Sequence, residues 1–220
     1  MNTDSWSALL SQAGDVVSNC DDIDRRRIKQ LLDDTRTDRL ADAQSDTHQP
    51  ESEPKITEPA TEPVPTSVVV DADVLVADFL CGSDTDARQA LESLWTHSWM
   101  TLFGSDPLLT DAEALIAALT TDQLAREWRV HMTEWCSIVT HPPGDHPALA
   151  TAYRGGAMHI LSFNDQLQST QVGASLRGQL PVSVREPAAY TAVFSPEQLY
   201  DATFDDEGTY PGPDRASRIE

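Results

Sequence analysis

The chain has 220 residues, with 36 Asp and Glu against 15 Lys and Arg, which gives a formal net charge of −21 at pH 7. A surface this acidic repels nucleic acids and anionic membranes at ordinary ionic strength. Its three cysteines lie far apart in the sequence, so the sequence encodes neither a disulfide framework nor a thiolate zinc site.

The first 45 residues predict a short helical N-terminal region. Apolar residues recur at helical spacing in two stretches, one beginning at Leu9 and one containing Ile28, Leu31 and Leu32. We therefore expect two short helices within 1–45. The second apolar stripe would also permit these helices to bind a partner or to drive dimerisation.

Composition divides the rest of the chain into three zones. Residues 46–66 hold five prolines among Glu and Thr and almost nothing apolar, which predicts a disordered linker. Residues 67–203 are apolar and punctuated by turn residues, as expected of a folded domain. Residues 204–220 turn polar again and predict a flexible acidic tail.

Within the domain, short apolar strands alternate with amphipathic helices. The strands are apolar on both faces, which predicts an α/β three-layer sandwich with a central, mostly parallel sheet. In chain order, we expect a strand over 68–70 that runs into a helix ending near 80, a helix over 84–97, a strand over 99–103, helices over 110–119, 121–138 and 145–153, strands over 158–161 and 182–184, and a closing helix over 187–194.

Acidic residues stand at the ends of several of these elements. Asp71 ends the first strand, Glu113 and Asp145 lie near helix starts, and Asn164 and Asp165 follow the strand over 158–161. Ligands of parallel α/β sheets collect at the carboxyl ends of the strands. Carboxylates gathered there would repel one another unless a cation lay between them, and hard oxygen ligands suit Mg²⁺ or Mn²⁺. The sequence therefore predicts a divalent metal site.

Three segments of the chain resemble the PIN domain, in the same order and at suitable intervals. They are the strand and acid over 68–75, the segment over 145–152, and the strand over 158–161 with its polar loop. The likeness covers about 67–200. PIN domains are compact α/β folds, and many are Mg²⁺- or Mn²⁺-dependent ribonucleases.

The resemblance implies a set of site residues. The family's first acid falls on Asp71, its second on Glu113 and its third on Asp145, and these would hold the metal. The fourth position departs from the family, because the aligned residue is Asn164 and the acid Asp165 lies one place later. Asn164 or Asp165 would complete the catalytic site, with Asp165 as the fourth metal ligand.

Several of these acids have ordinary alternative roles. Thr110 and Glu113 have the spacing of a helix capping box, and Asp145 has the position of a helix N-cap. Asp111 competes with Glu113 for the second acid position. Since residues two apart on a helix do not share a face, only one of the two is expected to enter the site.

The resemblance implies a Mg²⁺-dependent endoribonuclease with RNA as its substrate. The departure at Asn164, and an Asp at position 73 where the family commonly has Asn, favour an alternative, a degenerate module that binds a protein or RNA without cutting it. An antitoxin-like or homo-oligomeric protein partner is compatible with either hypothesis.

The composition also predicts the setting of the protein. Only two of the basic residues are lysines, a composition typical of salt-accumulating haloarchaea. At molar salt the Debye length falls to ~3 Å, so the acidic surface no longer excludes RNA. The chain shows no signal peptide and no apolar run that could span a membrane, so we expect a cytoplasmic protein without a membrane partner.

Overall fold

The structure is a computed structural model that describes residues 3–17, 25–45, 62–141, 146–168, 182–204 and 209–219. Five parallel strands form one central sheet in the order β3-β2-β1-β4-β5. The strands are β1 (Val64–Val70), β2 (Thr101–Ser105), β3 (Ser137–Val139), β4 (Ala157–Leu161) and β5 (Ser183–Arg185).

Ten helices with described bounds accompany the sheet. They are α1 (Thr3–Val17), α2 (Arg25–Ser45), α3 (Ala72–Leu80), α4 (Asp86–Trp95), α5 (Asp106–Leu119), α6 (Asp122–Trp135), α7 (Pro147–Gly155), α8 (Asp165–Gln168), α9 (Pro187–Val193) and α10 (Pro196–Thr203). None of the helices in the described part of the chain is long and apolar enough to cross a lipid bilayer. The predicted α/β class is confirmed, and the sheet is wholly parallel.

The strand order places a topological switch point between β1 and β4. The chain winds from β1 towards β3 on one side and from β4 to β5 on the other, and such sheets open a crevice where the order reverses. Val68, Val69 and Val70 of β1 are fully buried, as is every residue of α3, which follows directly. The buried core therefore continues from β1 into α3, next to the switch point.

Two of the predicted helix boundaries are wrong. Helix α5 begins at Asp106 rather than Thr110, because Ser105 acts as its N-cap and Pro107 lies in its first turn. Thr110 is thus inside the helix, and the predicted capping box with Glu113 does not form. The helix expected over 121–138 ends at Trp135, and its last residues instead form the edge strand β3.

The two N-terminal helices belong to the same hydrophobic core as the sheet domain. Trp6 of α1 is fully buried, and Ile28 and Leu32 of α2 are 1% and 3% exposed. The apolar stripe considered above for dimerisation therefore packs within its own chain. Residues 46–61 of the predicted linker lie outside the described residues, and Val64 and Pro65 at its end already belong to β1.

The C-terminal segment over 209–219 also packs against the domain, in contrast to the flexible tail expected over 204–220. Asp214 accepts a hydrogen bond from the backbone N–H of Ser98, at 2.7 Å. The indole Nε1 of Trp95 donates to the carbonyl oxygen of Ala216, at 2.8 Å. The segment therefore lies along the end of α4.

Arg218 anchors this C-terminal segment in the core. Its side chain is fully buried and donates to both carboxylate oxygens of Asp78, at 3.0 and 3.1 Å, and to Glu92, at 2.6 Å. The guanidinium also lies over the rings of Trp6 and Trp135. One arginine near the C-terminus thus joins α1, α3, α4 and α6.

We expect Arg218→Met to lower the free energy of unfolding by ~1.5–3 kcal/mol, since it removes the charged hydrogen bonds to Asp78 and Glu92 while Arg88 stays paired with Asp78. Arg215→Met is the matched control. Arg215 is exposed and contacts Trp95 only through its guanidinium, so its loss should cost ~1 kcal/mol or less. Chemical denaturation in molar KCl measures both, and equal effects would show that Arg218 is not an anchor.

Candidate functional site

Asp71 stands at the switch point, directly after β1. Its carboxylate is fully buried and caps α3 by accepting a hydrogen bond from the backbone N–H of Ala72, at 2.8 Å. Ser162, which follows β4, donates its hydroxyl to the second oxygen of Asp71, at 2.9 Å. The adjacent strands β1 and β4 thus bring a carboxylate and a hydroxyl together at the carboxyl end of the sheet.

Arg36 of α2 joins Asp71 to a second buried carboxylate. Its Nη2 donates to Asp71, at 2.8 Å, and its Nε donates to Asp111 of α5, at 3.0 Å. Burial disfavours the charge on Asp71, but the guanidinium of Arg36, the nearby His146 and the hydrogen bond from Ala72 together outweigh burial and hold the pKa of Asp71 below its usual value. The guanidinium is therefore the cation that these two carboxylates share.

His146 lies on the other side of the guanidinium. Its Nε2 is 2.8 Å from Nη1 of Arg36 and 3.8 Å from a carboxylate oxygen of Asp71. Because a guanidinium can only donate, Nε2 of His146 is the acceptor in the shorter contact. His146 is also the N-cap residue of α7. In the sequence, the preceding residue, Asp145, is a candidate for this N-cap role.

Asp73 is a third buried acid beside the pair. Its two oxygens accept hydrogen bonds from the backbone N–H groups of Val74 and Phe163, at 2.7 and 3.0 Å. Burial, together with the nearby charge of Asp71, raises the pKa of Asp73 well above its usual value. Asp73 therefore favours the neutral, protonated form next to a charged Asp71.

We name Asp71, Asp73, Asp111 and Arg36 the switch-point cluster. The sequence left open whether Asp111 or Glu113 enters the site. In the structure, Asp111 shares Arg36 with Asp71, whereas Glu113 does not lie in the cluster. Glu113 lines a shallow pocket between α5 and α6. The two acids are separated by two positions on α5, so only one of them can face the sheet.

The remaining predicted site residues lie apart from the switch-point cluster or outside the described residues. Asn164 accepts a hydrogen bond from the backbone N–H of Gln166, at 3.0 Å, and so caps the short helix α8. The side chain of Asp165 is 82% exposed and lies 3.8 Å from Lys29. Asp145 is outside the described residues. Of the predicted ligands that the structure describes, Asp71 alone lies in the cluster.

Sequence reasoning missed two residues of the site, Arg36 and Ser162. Ser162 could have been found from its place after a strand, since hydroxyls and acids at the carboxyl ends of neighbouring strands meet. Arg36 carries no local signal. It is separated from Asp71 by 35 positions and from Asp111 by 75, and only tertiary packing brings the three together.

Within the described residues, no three His, Cys, Asp or Glu side chains are arranged to hold a metal ion. The chemistry of the donor set nevertheless suits a hard cation. Asp71 and Asp111 offer oxygen ligands, come from different elements, and already share one positive charge, that of Arg36. The guanidinium is thus the positive charge that the structure places between these two carboxylates.

The fold and the cluster define a parallel α/β protein with buried carboxylates at its switch point. Residues 62–218 match the model of a family of unknown function (DUF7384), and the chain belongs to this family. The matched region includes Asp71, Asp73, Asp111 and Ser162, whereas Arg36 precedes it. No curated protein and no solved structure matches the chain.

The raised pKa of Asp73 predicts a specific pH dependence of stability. Between the ordinary carboxyl pKa and the raised one, the unfolded chain loses this proton while the folded chain keeps it, so stability falls as pH rises. Asp73→Asn removes this contribution. We expect the difference in unfolding free energy, variant minus wild type, to increase as pH rises above the ordinary carboxyl pKa of about 4, by at most about 1.4 kcal/mol per pH unit.

Denaturant titrations at several pH values in molar KCl measure this difference. A constant offset between the two proteins would reflect altered hydrogen bonds to Val74 and Phe163 and would leave the slope unchanged. Parallel curves over the whole range would therefore contradict a raised pKa for Asp73.

Proposed function

We propose that this protein is a PIN-like endoribonuclease that depends on Mg²⁺ or Mn²⁺, with Asp71 and Asp111 as the carboxylates that hold the metal. One observation carries the proposal. Two fully buried carboxylates from different elements meet at the switch point of a parallel sheet and share one cationic group. Pairs of buried like charges are costly unless the site is built to hold a cation.

The residues present fit such a metal. Mg²⁺ is commonly bound by one or two carboxylates, with water and substrate phosphate oxygens completing the shell, and Asp71 and Asp111 supply two. When bound, the metal would lower the pKa of a water and neutralise charge that develops on a phosphate. In this proposal Asp111 takes the place of Glu113 as the second acid. Asp165, whose side chain is 82% exposed, is not a ligand.

The chain's own residues have distinct tasks in this site. Ser162 donates to Asp71 and fixes the direction of its carboxylate. The hydrogen bond from Ala72 does the same for the other oxygen. Asp73, in its neutral form, lies next to Asp71 without adding a further negative charge, which limits repulsion inside the cluster.

The acidic surface is compatible with an RNA substrate only where salt is high. At molar ionic strength, repulsion between the chain and a polyanion is screened beyond ~3 Å, while direct contacts to a metal are retained. The proposal therefore includes a salt requirement for RNA binding.

A second candidate function is a module that binds RNA or a protein without cleaving it. Two observations favour it. Arg36 already forms buried ion pairs with both carboxylates, as a structural arginine would, and Asn164 stands where the resemblance places an acid and serves as a helix cap. The two candidates differ in whether the cluster ever exchanges Arg36 for a metal.

Cleavage of single-stranded RNA in molar KCl with Mn²⁺ tests the proposal. We expect Mn²⁺-dependent cleavage that falls at least ~100-fold in Asp71→Asn and Asp111→Asn, since each removes a carboxylate from the metal. Glu113→Gln, on the same helix as Asp111 and two positions away, is the matched control and should cleave like the wild type.

The comparison of the two α5 variants also decides which acid is the second ligand. Loss of activity in Glu113→Gln with retention in Asp111→Asn would overturn the assignment made here. If neither the wild type nor a variant lacking the Arg36 charge cleaves RNA, although Mn²⁺ binds at the cluster, the enzyme is ruled out in favour of the binding module.

A further inference from the structure

The switch-point cluster is closed to solvent while α2 is in place. Asp71, Asp111 and Asp73 are 0%, 1% and 5% exposed, and only 13% of the Arg36 side chain is accessible. A phosphodiester cannot reach carboxylates that are this deeply buried. Any reaction at the cluster therefore needs a second arrangement in which α2 no longer covers it.

Helix α2 lies across the carboxyl end of the sheet. Near its start, the guanidinium of Arg25 lies 4.1 Å above the ring of Phe163, which follows β4. Three turns later, Arg36 reaches Asp71 after β1 and Asp111 at the start of the next crossover. The helix thus spans the crevice that the strand order creates, with Arg36 directed into the site.

Most of the polar contacts that hold α2 are weak. Arg25 is 3.1 Å from Asp86 and 3.7 Å from Glu186, and Lys29 is 3.8 Å from Asp165, with about half or more of these side chains exposed. Exposed pairs of this kind contribute little to stability and are screened by salt.

The strong contacts of α2 are few. Among its described side chains, Ile28 and Leu32 are the buried apolar ones, and Arg36 makes the buried ion pairs with Asp71 and Asp111. Among the ion pairs of the described α2 side chains, those of Arg36 are the buried ones, so molar salt screens them least.

We infer that α2 is an inhibitory segment built into the chain, in which Arg36 competes with a divalent cation for Asp71 and Asp111. A guanidinium and a divalent ion cannot share the two carboxylates, because three positive charges would then lie within a few ångströms of one another. Metal binding and docking of Arg36 are therefore mutually exclusive. The effect on RNA cleavage rests on the proposed function, whereas the competition itself does not.

The boundaries of the family match separate the carboxylates from the arginine that competes for them. The match starts at residue 62 and includes the carboxylates, whereas α2 and Arg36 lie before it. The carboxylates belong to the region that defines the family, and the competing charge comes from a helix outside that region.

The first test measures Mn²⁺ binding to the full chain in molar KCl by electron paramagnetic resonance of the free ion. Arg36→Gln should bind Mn²⁺ at least ~10-fold more tightly than the wild type. In the wild type, the molecules in which Arg36 occupies the carboxylates cannot bind the ion, which lowers the apparent affinity, and the variant has no such molecules. Arg26→Gln, an equal charge change at an exposed position of the same helix, should bind like the wild type. Equal affinities in all three proteins would overturn the inference.

A second measurement uses the wild type and so does not depend on the folding of a variant. Hydrogen exchange of the α2 amides, residues 25–45, should accelerate when Mn²⁺ is added, because the metal displaces Arg36 and loosens the helix. Asp71→Asn should show no such response. Unchanged α2 exchange in a wild-type protein that has bound Mn²⁺ would contradict displacement of the helix.

RNA cleavage by the same proteins separates the inference from the proposed function. If Arg36→Gln cleaves at lower Mn²⁺ concentrations than the wild type, both hold. If it binds Mn²⁺ more tightly and leaves RNA intact, the competition holds and the nuclease function fails. If wild type and Arg36→Gln cleave equally at every Mn²⁺ concentration, the nuclease function holds and the inhibitory role of α2 is refuted.

Discussion

The structure depends on the neutralisation of buried negative charge at the switch point of its sheet. Two carboxylates, Asp71 and Asp111, lie in the interior, where an isolated charge is costly. A third buried acid, Asp73, lies beside Asp71, and its pKa is raised, which favours its protonated form. The guanidinium of Arg36 pairs with both ionised carboxylates and offsets part of their charge. The position of α2 follows from this requirement.

The same solution recurs at the other end of the chain. Asp78 in the last turn of α3 is buried, and it pairs with two buried arginines, Arg88 of α4 and Arg218 of the C-terminal segment. Helix α3 is buried along its whole length, so its acids cannot be solvated by water. Segments from both ends of the chain thus close around one acidic helix, and each brings an arginine to it.

In the two proposals above, Arg36 and a divalent metal ion exchange at the same carboxylates, Asp71 and Asp111, so the ion pairs that hold α2 and the proposed activity are linked. When Arg36 pairs with Asp71 and Asp111, it occupies the position that a metal would take. When a metal binds the two carboxylates, Arg36 cannot pair with them. The proposed catalytic site and the proposed inhibitory segment therefore depend on the same two carboxylates. The acidity of the surface adds a second condition, because only high salt lets a polyanion approach such a molecule.

The sequence by itself determined the α/β class, the parallel sheet and the place of Asp71 after the first strand, because apolar runs, helical periodicity and strand ends are local signals. It also restricted the second acid to one of two residues on α5. Only the tertiary structure shows that Asp111 is the α5 acid that is buried and bonded to Arg36, because the packing of α5 in the fold decides which of its faces is buried. Only the tertiary structure brought Arg36 to the site, because the contact joins residues 35 and 75 positions apart, and no local pattern encodes such a separation.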